Sequence, residues 1–209
     1  RAARGHRLKV KVGAEVDWFV YDGWEEEFAA FRKESGLDYY ISGNHFLQPS
    51  EGEILDIKDL SLLAGPEREK ALKNHFAAIC RAIESGVFAF IAHVDYIRKS
   101  EFCPDEAFWQ EKMKVVDCLE KCKTATELSS KGLRKRGDFY PADKLIREIV
   151  RRQIPLVVSD DAHRTGELGF EFAKSEEYLR KLDCRRRWQF YFFAVFVRIF
   201  TVQTGFTRS

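Results

Sequence analysis

The sequence has no long apolar run, few prolines and no marked excess of charge of one sign. The sequence contains no stretch of about 18 uninterrupted apolar residues, so no membrane-spanning helix is predicted, and no signal peptide is visible at the start. The 35 basic and 33 acidic residues leave a net charge of +2, which does not favour nucleic acid or a membrane surface as a partner. Five prolines and 13 glycines among 209 residues, 45% of them hydrophobic, exclude a disordered or collagen-like chain. We therefore expect one folded globular domain.

Cysteine is also scarce, and its pattern indicates a compartment. The five cysteines are an odd number without a dense framework, which favours a reducing environment over a disulfide-built secreted domain. We therefore expect a cytoplasmic protein. Cys118 and Cys122 lie one helical turn apart, but no second pair accompanies them. They are predicted to be ordinary helix residues and not a metal site.

Short apolar runs alternate with segments of helical period along most of the chain. Strands are predicted over 8–16, 39–42, 87–92, 124–128 and 154–159. Helices are predicted over 24–34, 66–85, 104–123, 141–152 and 175–182, the first opened by a capping box over 22–25 and stopped by Gly36. This alternation predicts an α/β fold with a parallel sheet, either open or closed into a barrel. No glycine-rich phosphate fingerprint favours the open sheet.

The last 26 residues, 184–209, differ in composition from the rest. They contain five arginines, six of the 18 phenylalanines and no acidic residue. We therefore divide the chain into a main domain over 1–183 and a basic aromatic tail over 184–209. The tail is either a final barrel strand or an end foreign to the domain, and both interpretations stay open at this point.

Histidine and carboxylate side chains stand where the predicted strands end. Three pairs are each two residues apart after an apolar run: Glu15 and Asp17, His93 and Asp95, and Asp161 and His163. Alternation puts both members of a pair on one face of the strand. His45 follows the second strand in the same way. In a parallel barrel these strand ends meet at one mouth, and imidazole with carboxylate suits Zn²⁺, Mn²⁺ or Fe.

Each of these residues, taken alone, also has a structural interpretation. A single histidine at a strand end is often a hydrogen-bonded structural residue. Asp17 and Asp95 either orient the imidazoles of metal ligands or accept hydrogen bonds at the strand ends. The recurrence of the pattern favours a divalent metal site.

A basic segment follows the fourth predicted strand. Residues 127–137 place four cations in what is predicted to be a glycine-bounded loop: Lys131, Arg134, Lys135 and Arg136. Cations beside a metal centre suggest a phosphate ligand, whereas a solvated surface loop is the alternative. Arg164, directly after the pair of Asp161 and His163, is a further candidate for binding phosphate.

Five segments carry a family resemblance when they are taken in order. They are GAEVD at 13–17, DYYI at 38–41 with HFL at 45–47, IAHVDYI at 91–97, GLRK at 132–135 and DAH at 161–163. Together, over about residues 9–182, they resemble the PHP-superfamily histidinol-phosphate phosphatases. The resemblance implies a TIM-like, seven-stranded β/α barrel with up to three divalent metal ions. It also implies hydrolysis of L-histidinol phosphate to L-histidinol and phosphate, in histidine biosynthesis, by attack of a metal-bound hydroxide.

The resemblance also implies roles for individual residues. It assigns five metal ligands, namely Glu15, His45, His93, Asp161 and His163, and four of them (Glu15, His45, Asp161 and His163) are predicted to be catalytic. Arg134 is implied as a phosphate contact. The adjacent Lys135 and the more distant Arg164 are predicted to bind substrate with it. The expected partner is a small phosphorylated substrate, with no membrane and no nucleic acid, while the oligomeric state stays open.

The chain departs from the family pattern at several positions, and two alternative functions stay open. Ser129, Gly43 and Asp160 stand where the family has asparagine, serine and serine. The N-terminal His-x-His motif and the strand after it are absent, so the chain is expected to start at the third β-α unit of an incomplete, N-terminally truncated barrel. The first alternative is a nuclease or general phosphoesterase of the same superfamily. The second is a truncated or degenerate domain without catalysis.

Overall fold

A computed structural model of the chain describes residues 11–50 and 52–185, with the backbone of 187–188 and 197–198. Its strands are β1 (Gly13–Val16), β2 (Tyr39–Ser42), β3 (Phe46–Leu47), β4 (Leu55–Asp56), β5 (Phe90–Ile91), β6 (Ala125–Ser129), β7 (Leu156–Ser159), β8 (Arg187–Trp188) and β9 (Val197–Arg198). Its α-helices are α1 (Trp24–Ser35), α2 (Gly65–Glu84), α3 (Trp109–Cys122), α4 (Lys131–Lys135), α5 (Asp143–Arg151) and α6 (Phe172–Lys181). Short 3₁₀ helices cover Ile57–Leu62, Tyr96–Lys99 and Thr165–Glu167.

The strands form one parallel sheet in the order β8-β7-β6-β5-β2-β1-β9, and β3 and β4 form a separate antiparallel pair. Each central strand is followed by a helix, so the connections return the chain to the same end of the sheet. The C-terminal ends of the strands therefore lie along one edge. This arrangement confirms the predicted α/β class, whereas closure of the sheet into a barrel stays a prediction.

The two faces of the sheet bury different residues. On one face the helices build the main core, where α2 buries Leu72, Phe76, Ile79 and Ile83 at the spacing of an amphipathic helix. The opposite face has its own small cluster of side chains: Ile41, Phe90, Ala92, Ala125 and Val157. Glu15 is paired in register with Ile41, which is paired in turn with Phe90. Because paired residues point to the same face, Glu15 extends from the sheet on the side of this second cluster.

The structure corrects two predictions of local structure. Asp22 does not cap α1, because the helix follows Gly23, whose φ of 91° is left-handed, and no side-chain cap bond forms there. The predicted stop at Gly36 is confirmed by its left-handed φ of 63°. The basic segment contains the short helix α4 and is not wholly a loop. A Cβ added to Gly132 would lie 2.2 Å from the carbonyl oxygen of Asp138, so glycine allows this helix to pack closely.

Four cysteines of the described residues lie on or between the helices of the main core. Cys80, Cys103, Cys118 and Cys122 form no disulfide within the described residues. The thiol of Cys118 is half-buried on α3 and hydrogen-bonds with Cys80 of α2, which confirms a packing role for that helix residue. None of the described helices is long and apolar enough to cross a membrane.

The predicted tail over 184–209 lies almost wholly outside the described residues. Cys184, Arg185 and the backbones of β8 and β9 are the parts that the structure describes. These two strands pair with β7 and β1, at opposite edges of the sheet. The predicted boundary between domain and tail stays a prediction.

Candidate metal centre

Three of the residues predicted as metal ligands meet at the carboxyl edge of the sheet. Oε1 of Glu15 lies 3.4 Å from Nε2 of His45 and 3.2 Å from Nε2 of His93. Each of the three residues has one potential ligand atom within 4.8 Å of those of the other two. All three are at most 7% exposed. Groups that are far apart in sequence therefore form one buried cluster.

The backbone at the strand ends turns these side chains toward each other. His45 follows β2 after two linking residues, Gly43 and Asn44, and the φ of Asn44 is 56°. His93 follows β5 with a φ of 24°. Such angles are uncommon for residues with a side chain and are found where the surrounding structure enforces them, often at functional sites. A Cβ on Gly43 would lie 2.6 Å from the His45 ring, so the glycine found here in place of the family's serine leaves room for that imidazole.

Asp17 orients the imidazole of His45. Its Oδ1 accepts a hydrogen bond from the backbone N–H of His45, and its Oδ2 lies 3.0 Å from Nδ1 of the same residue. A carboxylate on one ring nitrogen fixes the tautomer and directs the other nitrogen toward a metal. In this geometry Asp17 contacts the imidazole of a predicted ligand.

Asp95 does not orient an imidazole in the same way. It accepts a hydrogen bond of 2.8 Å from the backbone N–H of Ala142 and lies 3.8 Å from Nε of Arg98. The strand-end hydrogen bonding that the sequence left open is the interaction seen here. Asp95 therefore connects the segment after β5 to the start of α5.

Glu127 is a site residue that the sequence analysis missed. Its Oε1 accepts a hydrogen bond of 2.7 Å from the backbone N–H of His93, and its Oε2 accepts one of 2.5 Å from Ser159. Burial, with the nearby charge of Asp161, raises the pKa of Glu127 to about 7 against the opposing charge of His93. The sequence feature that could have indicated Glu127 is a single carboxylate inside an otherwise apolar strand. Because Ala125 and Ser129 stand two residues to either side, Glu127 does not form a pair of the kind that marks the other strand ends.

The charges inside the cluster favour the ionised form of Glu15. Burial alone would raise the pKa of Glu15, but the hydrogen bond with His93 and the charges of His45, His93 and Lys131 lower it below its usual value. Burial likewise disfavours protonation of His93, yet its contacts with Glu15 and the charge of Glu127 raise its pKa. The site therefore holds a carboxylate that attracts a cation.

The three residues fit a divalent metal ion. Two imidazole nitrogens and one carboxylate oxygen are a donor set of catalytic zinc sites, and it also suits iron and manganese. Nδ1 of His93 and Oδ1 of Asp161 are buried and make no hydrogen bond within the described part of the chain. Tyr96 packs its ring 5.2 Å from that of His45 and 4.7 Å from that of His93. The cluster can hold one ion, and the predicted maximum of three stays a prediction.

The other two predicted ligands lie outside this triad. Asp161, with a φ of 46°, is buried and forms an ion pair with Lys131. The side chain of His163 is 49% exposed, and its Nδ1 lies 2.9 Å from the carbonyl oxygen of Asp161 and 3.3 Å from Oδ1 of the same residue. The charge of Asp161 contributes to the raised pKa of His93. The ligand roles of Asp161 and His163 stay predictions.

Arg134 is on α4, and its guanidinium reaches the segment after β7, beside Asp161. Its Nη2 donates a hydrogen bond of 2.9 Å to the carbonyl oxygen of Asp160, and its Nη1 lies 3.5 Å from Glu167. The guanidinium also packs 5.0 Å from the centre of the Phe170 ring. These contacts hold a cation at the edge where the strand-end residues lie.

The remaining predicted substrate contacts are on the surface, and Asp160 has a bracing role. Lys135 and Arg164 are both exposed. Asp160, found where the family has serine, accepts hydrogen bonds from the backbone N–H groups of Ala162 and Gly169. It therefore braces the segment after β7 from within.

Comparison with known proteins gives relatives of one kind. No family model matches the chain. A Deinococcus radiodurans protein named "Probable histidinol-phosphatase" is 28% identical over 187 residues, which cover 86% of this chain and 67% of that protein. The histidinol-phosphatase of Bacillus subtilis is 24% identical over 184 residues, which cover 79% of this chain and 68% of that protein.

A solved structure shares the fold. The crystal structure of a Listeria monocytogenes protein described as a histidinol phosphatase, hisK, superposes with a TM-score of 0.64 at 20% identity, over 80% of this chain and 68% of that one. At this identity the likeness concerns the fold alone. Together with the two sequence relatives it confirms the resemblance predicted from the motifs: the chain is similar to histidinol-phosphatases of the PHP type.

Proposed function

We propose that this chain carries the active site of a metal-dependent phosphomonoesterase that hydrolyses L-histidinol phosphate to L-histidinol and phosphate. The observation that carries the proposal is the buried triad of Glu15, His45 and His93, with Arg134 held at the same edge of the sheet. The names of the two sequence relatives supply the substrate. Hydrolysis of a phosphate ester needs a Lewis acid and a group that binds phosphate, and the triad and Arg134 can supply a place for the first and the second itself.

Glu15, His45 and His93 would hold the divalent ion, which is zinc, manganese or iron. When bound, such an ion polarises a phosphoryl oxygen and lowers the pKa of water, so that hydroxide is available near neutral pH. Asp17 keeps Nε2 of His45 directed at Glu15, and Glu127 fixes the backbone of His93. The protein thereby supplies a preorganised site that does not rearrange during the reaction.

Arg134 and Asp161 act on the substrate side. Arg134 offers a planar guanidinium, which binds phosphate oxygens through charge-assisted hydrogen bonds and offsets the charge that develops in the transition state. Oδ2 of Asp161 is paired with Lys131, and in this proposal its Oδ1 accepts the proton of the attacking water. The P–O bond to L-histidinol breaks as the new P–O bond forms, and the alcohol oxygen takes its proton from solvent. Arg134 comes from α4 and Asp161 from the segment after β7, and the hydrogen bonds of Arg134 to the carbonyl oxygens of Asp160 and Asp161 bring the two groups together.

Phosphate release from L-histidinol phosphate tests the proposal directly. The chain is equilibrated with Zn²⁺, Mn²⁺ or Fe²⁺, or with a chelator, and assayed on this ester and on a single-stranded oligonucleotide. We expect release from the ester with at least one of these metals and none with the chelator. Cleavage of the oligonucleotide alone would favour a nuclease. Bound metal without hydrolysis of either substrate would favour the degenerate, non-catalytic domain.

Arg134→Ala should raise the KM for L-histidinol phosphate about 10- to 100-fold, because one or two charge-assisted hydrogen bonds to phosphate are lost. The measurement is steady-state kinetics with the best metal. Lys121→Ala is the matched control, since Lys121 is an exposed cation at the end of α3 that leads into the start of β6, far from the carboxyl ends of the strands, and its KM should stay within about twofold of wild type. An unchanged KM in a folded Arg134→Ala protein would remove Arg134 from the site.

A further inference from the structure

Lys131 is a cation inside the candidate site to which the proposed reaction assigns no role of its own. It is the first residue of α4, and its Nζ forms an ion pair with Oδ2 of Asp161. The Lys131 side chain is 17% exposed, so the ammonium is withdrawn from bulk water. Its charge also acts on Glu15, one of the three triad residues. A positive charge is therefore already paired with Asp161 and close enough to lower the pKa of Glu15.

We propose that the ammonium of Lys131 takes the place of a second divalent cation, so that the metal centre of this chain holds one ion. The inference rests on the proposed function, because it assumes that Glu15, His45 and His93 bind metal. The ion pair of Lys131 with Asp161 would then occupy the position of a second metal ion. The consequence is a mononuclear centre.

The carboxylates around the triad are already engaged. Asp17 contacts the imidazole of His45. Glu127 accepts hydrogen bonds from the backbone N–H of His93 and from the hydroxyl of Ser159. Asp160 accepts hydrogen bonds from two backbone N–H groups. Among the described carboxylates around the triad, Asp161 is the one that could serve a second ion, and its Oδ2 is paired with Lys131. A second ion needs several ligands of its own. With Lys131 in place, one of the two oxygens that Asp161 could offer is occupied by the ammonium.

An ammonium excludes a metal ion from this position for two reasons. It has three N–H donors and no acceptor, so protonated lysine cannot be a ligand. A divalent cation on Asp161 would lie close to the ammonium, and like charges repel strongly where burial weakens the screening by water and salt. Removing the charge of Lys131 should therefore open the site to a second ion. Asp161 and His163, the predicted ligands outside the triad, have Oδ1 and Nδ1 already 3.3 Å apart and would then hold it together with water.

Metal stoichiometry measures this directly and needs no activity assay. Wild type, Lys131→Met and Lys135→Met are saturated with Mn²⁺ or Zn²⁺, separated from free ion by gel filtration and analysed for metal per chain. Methionine keeps a long flexible side chain without charge, and Lys135→Met removes an exposed charge four residues away on the same helix. We expect one ion in wild type, two in Lys131→Met and one in Lys135→Met.

The possible results separate this inference from the proposed function. Two or more ions in wild type would overturn the inference and leave the phosphatase proposal standing. One ion in both wild type and Lys131→Met would also overturn it, since the ammonium would not be the reason for a single ion. No ion in wild type would overturn the metal-dependent function itself. Lys131→Gln is measured in parallel and should also bind two ions, in case Lys131→Met does not fold.

Discussion

His93→Ala should remove both bound metal and phosphate release. His93 supplies Nε2, which lies 3.2 Å from Oε1 of Glu15, and the residue is buried among the other groups of the site. Alanine leaves the triad with two ligands, and no described side chain is placed to substitute. A metal contributes several kcal/mol to a phosphoryl transition state, so kcat/KM for L-histidinol phosphate should fall about a thousand-fold or more. Metal per chain and phosphate release are the measurements.

His75→Gln is the matched control for that substitution. His75 is a second buried histidine, on α2, and its Nδ1 hydrogen-bonds with the carbonyl oxygen of Phe46. Burial lowers its pKa to about 4, so it is neutral at pH 7 and contributes no charge to the site. Glutamine can keep the bond to Phe46, and metal content should stay at the wild-type level. Near-normal metal content and activity in His93→Ala would refute the triad as the metal centre.

Arg98→Met should produce the largest loss of stability. The Arg98 side chain is 1% exposed and donates hydrogen bonds to Asp105, to Asp138 and to the carbonyl oxygen of Phe139. It also lies 3.8 Å from the buried Asp95. Breaking a buried ion pair by removing one partner leaves an uncompensated charge and typically costs about 3–5 kcal/mol. Urea denaturation, followed by circular dichroism, measures the change in the free energy of unfolding.

Two further variants show where that loss comes from. Arg151→Met removes an arginine on the surface, where the ion pair with Glu148 is open to water, and should leave the urea midpoint nearly unchanged. The double variant Asp95→Asn with Arg98→Met should recover part of the loss, because no buried carboxylate then stays without its partner. If Arg98→Met unfolds at the wild-type midpoint, burial of this cation is balanced by its desolvation and the network does not stabilise the fold.

Much of the site followed from local rules that a sequence can express. Alternation of apolar runs and helical segments predicted the α/β class, because the periods of strand and helix are properties of the local chain. The same alternation placed Glu15, His45 and His93 at strand ends. Since the ends of parallel strands meet at one edge, the order of elements along the chain was enough to predict that these three side chains lie near each other.

Other predictions depended on contacts that local sequence does not record. The capping box at Asp22 was wrong because the chain enters α1 through Gly23 in a left-handed conformation. The basic segment contains α4, and Gly132 lets the backbone of this helix approach Asp138 closely, six residues further along the chain. In both cases the backbone conformation, and not the pattern of residue types, decided the outcome.

The sequence by itself determined the class of fold and the types of ligand that the site could offer. The tertiary structure decided which of those groups share one cluster and which have other partners. Asp17 contacts an imidazole whereas Asp95 contacts Ala142 and Arg98, although both stand two residues after a predicted ligand. Lys131 contacts Asp161, which is 30 residues away in sequence. Such differences arise from packing between distant segments, where burial selects the partner of each charge, and no period in the sequence encodes that selection.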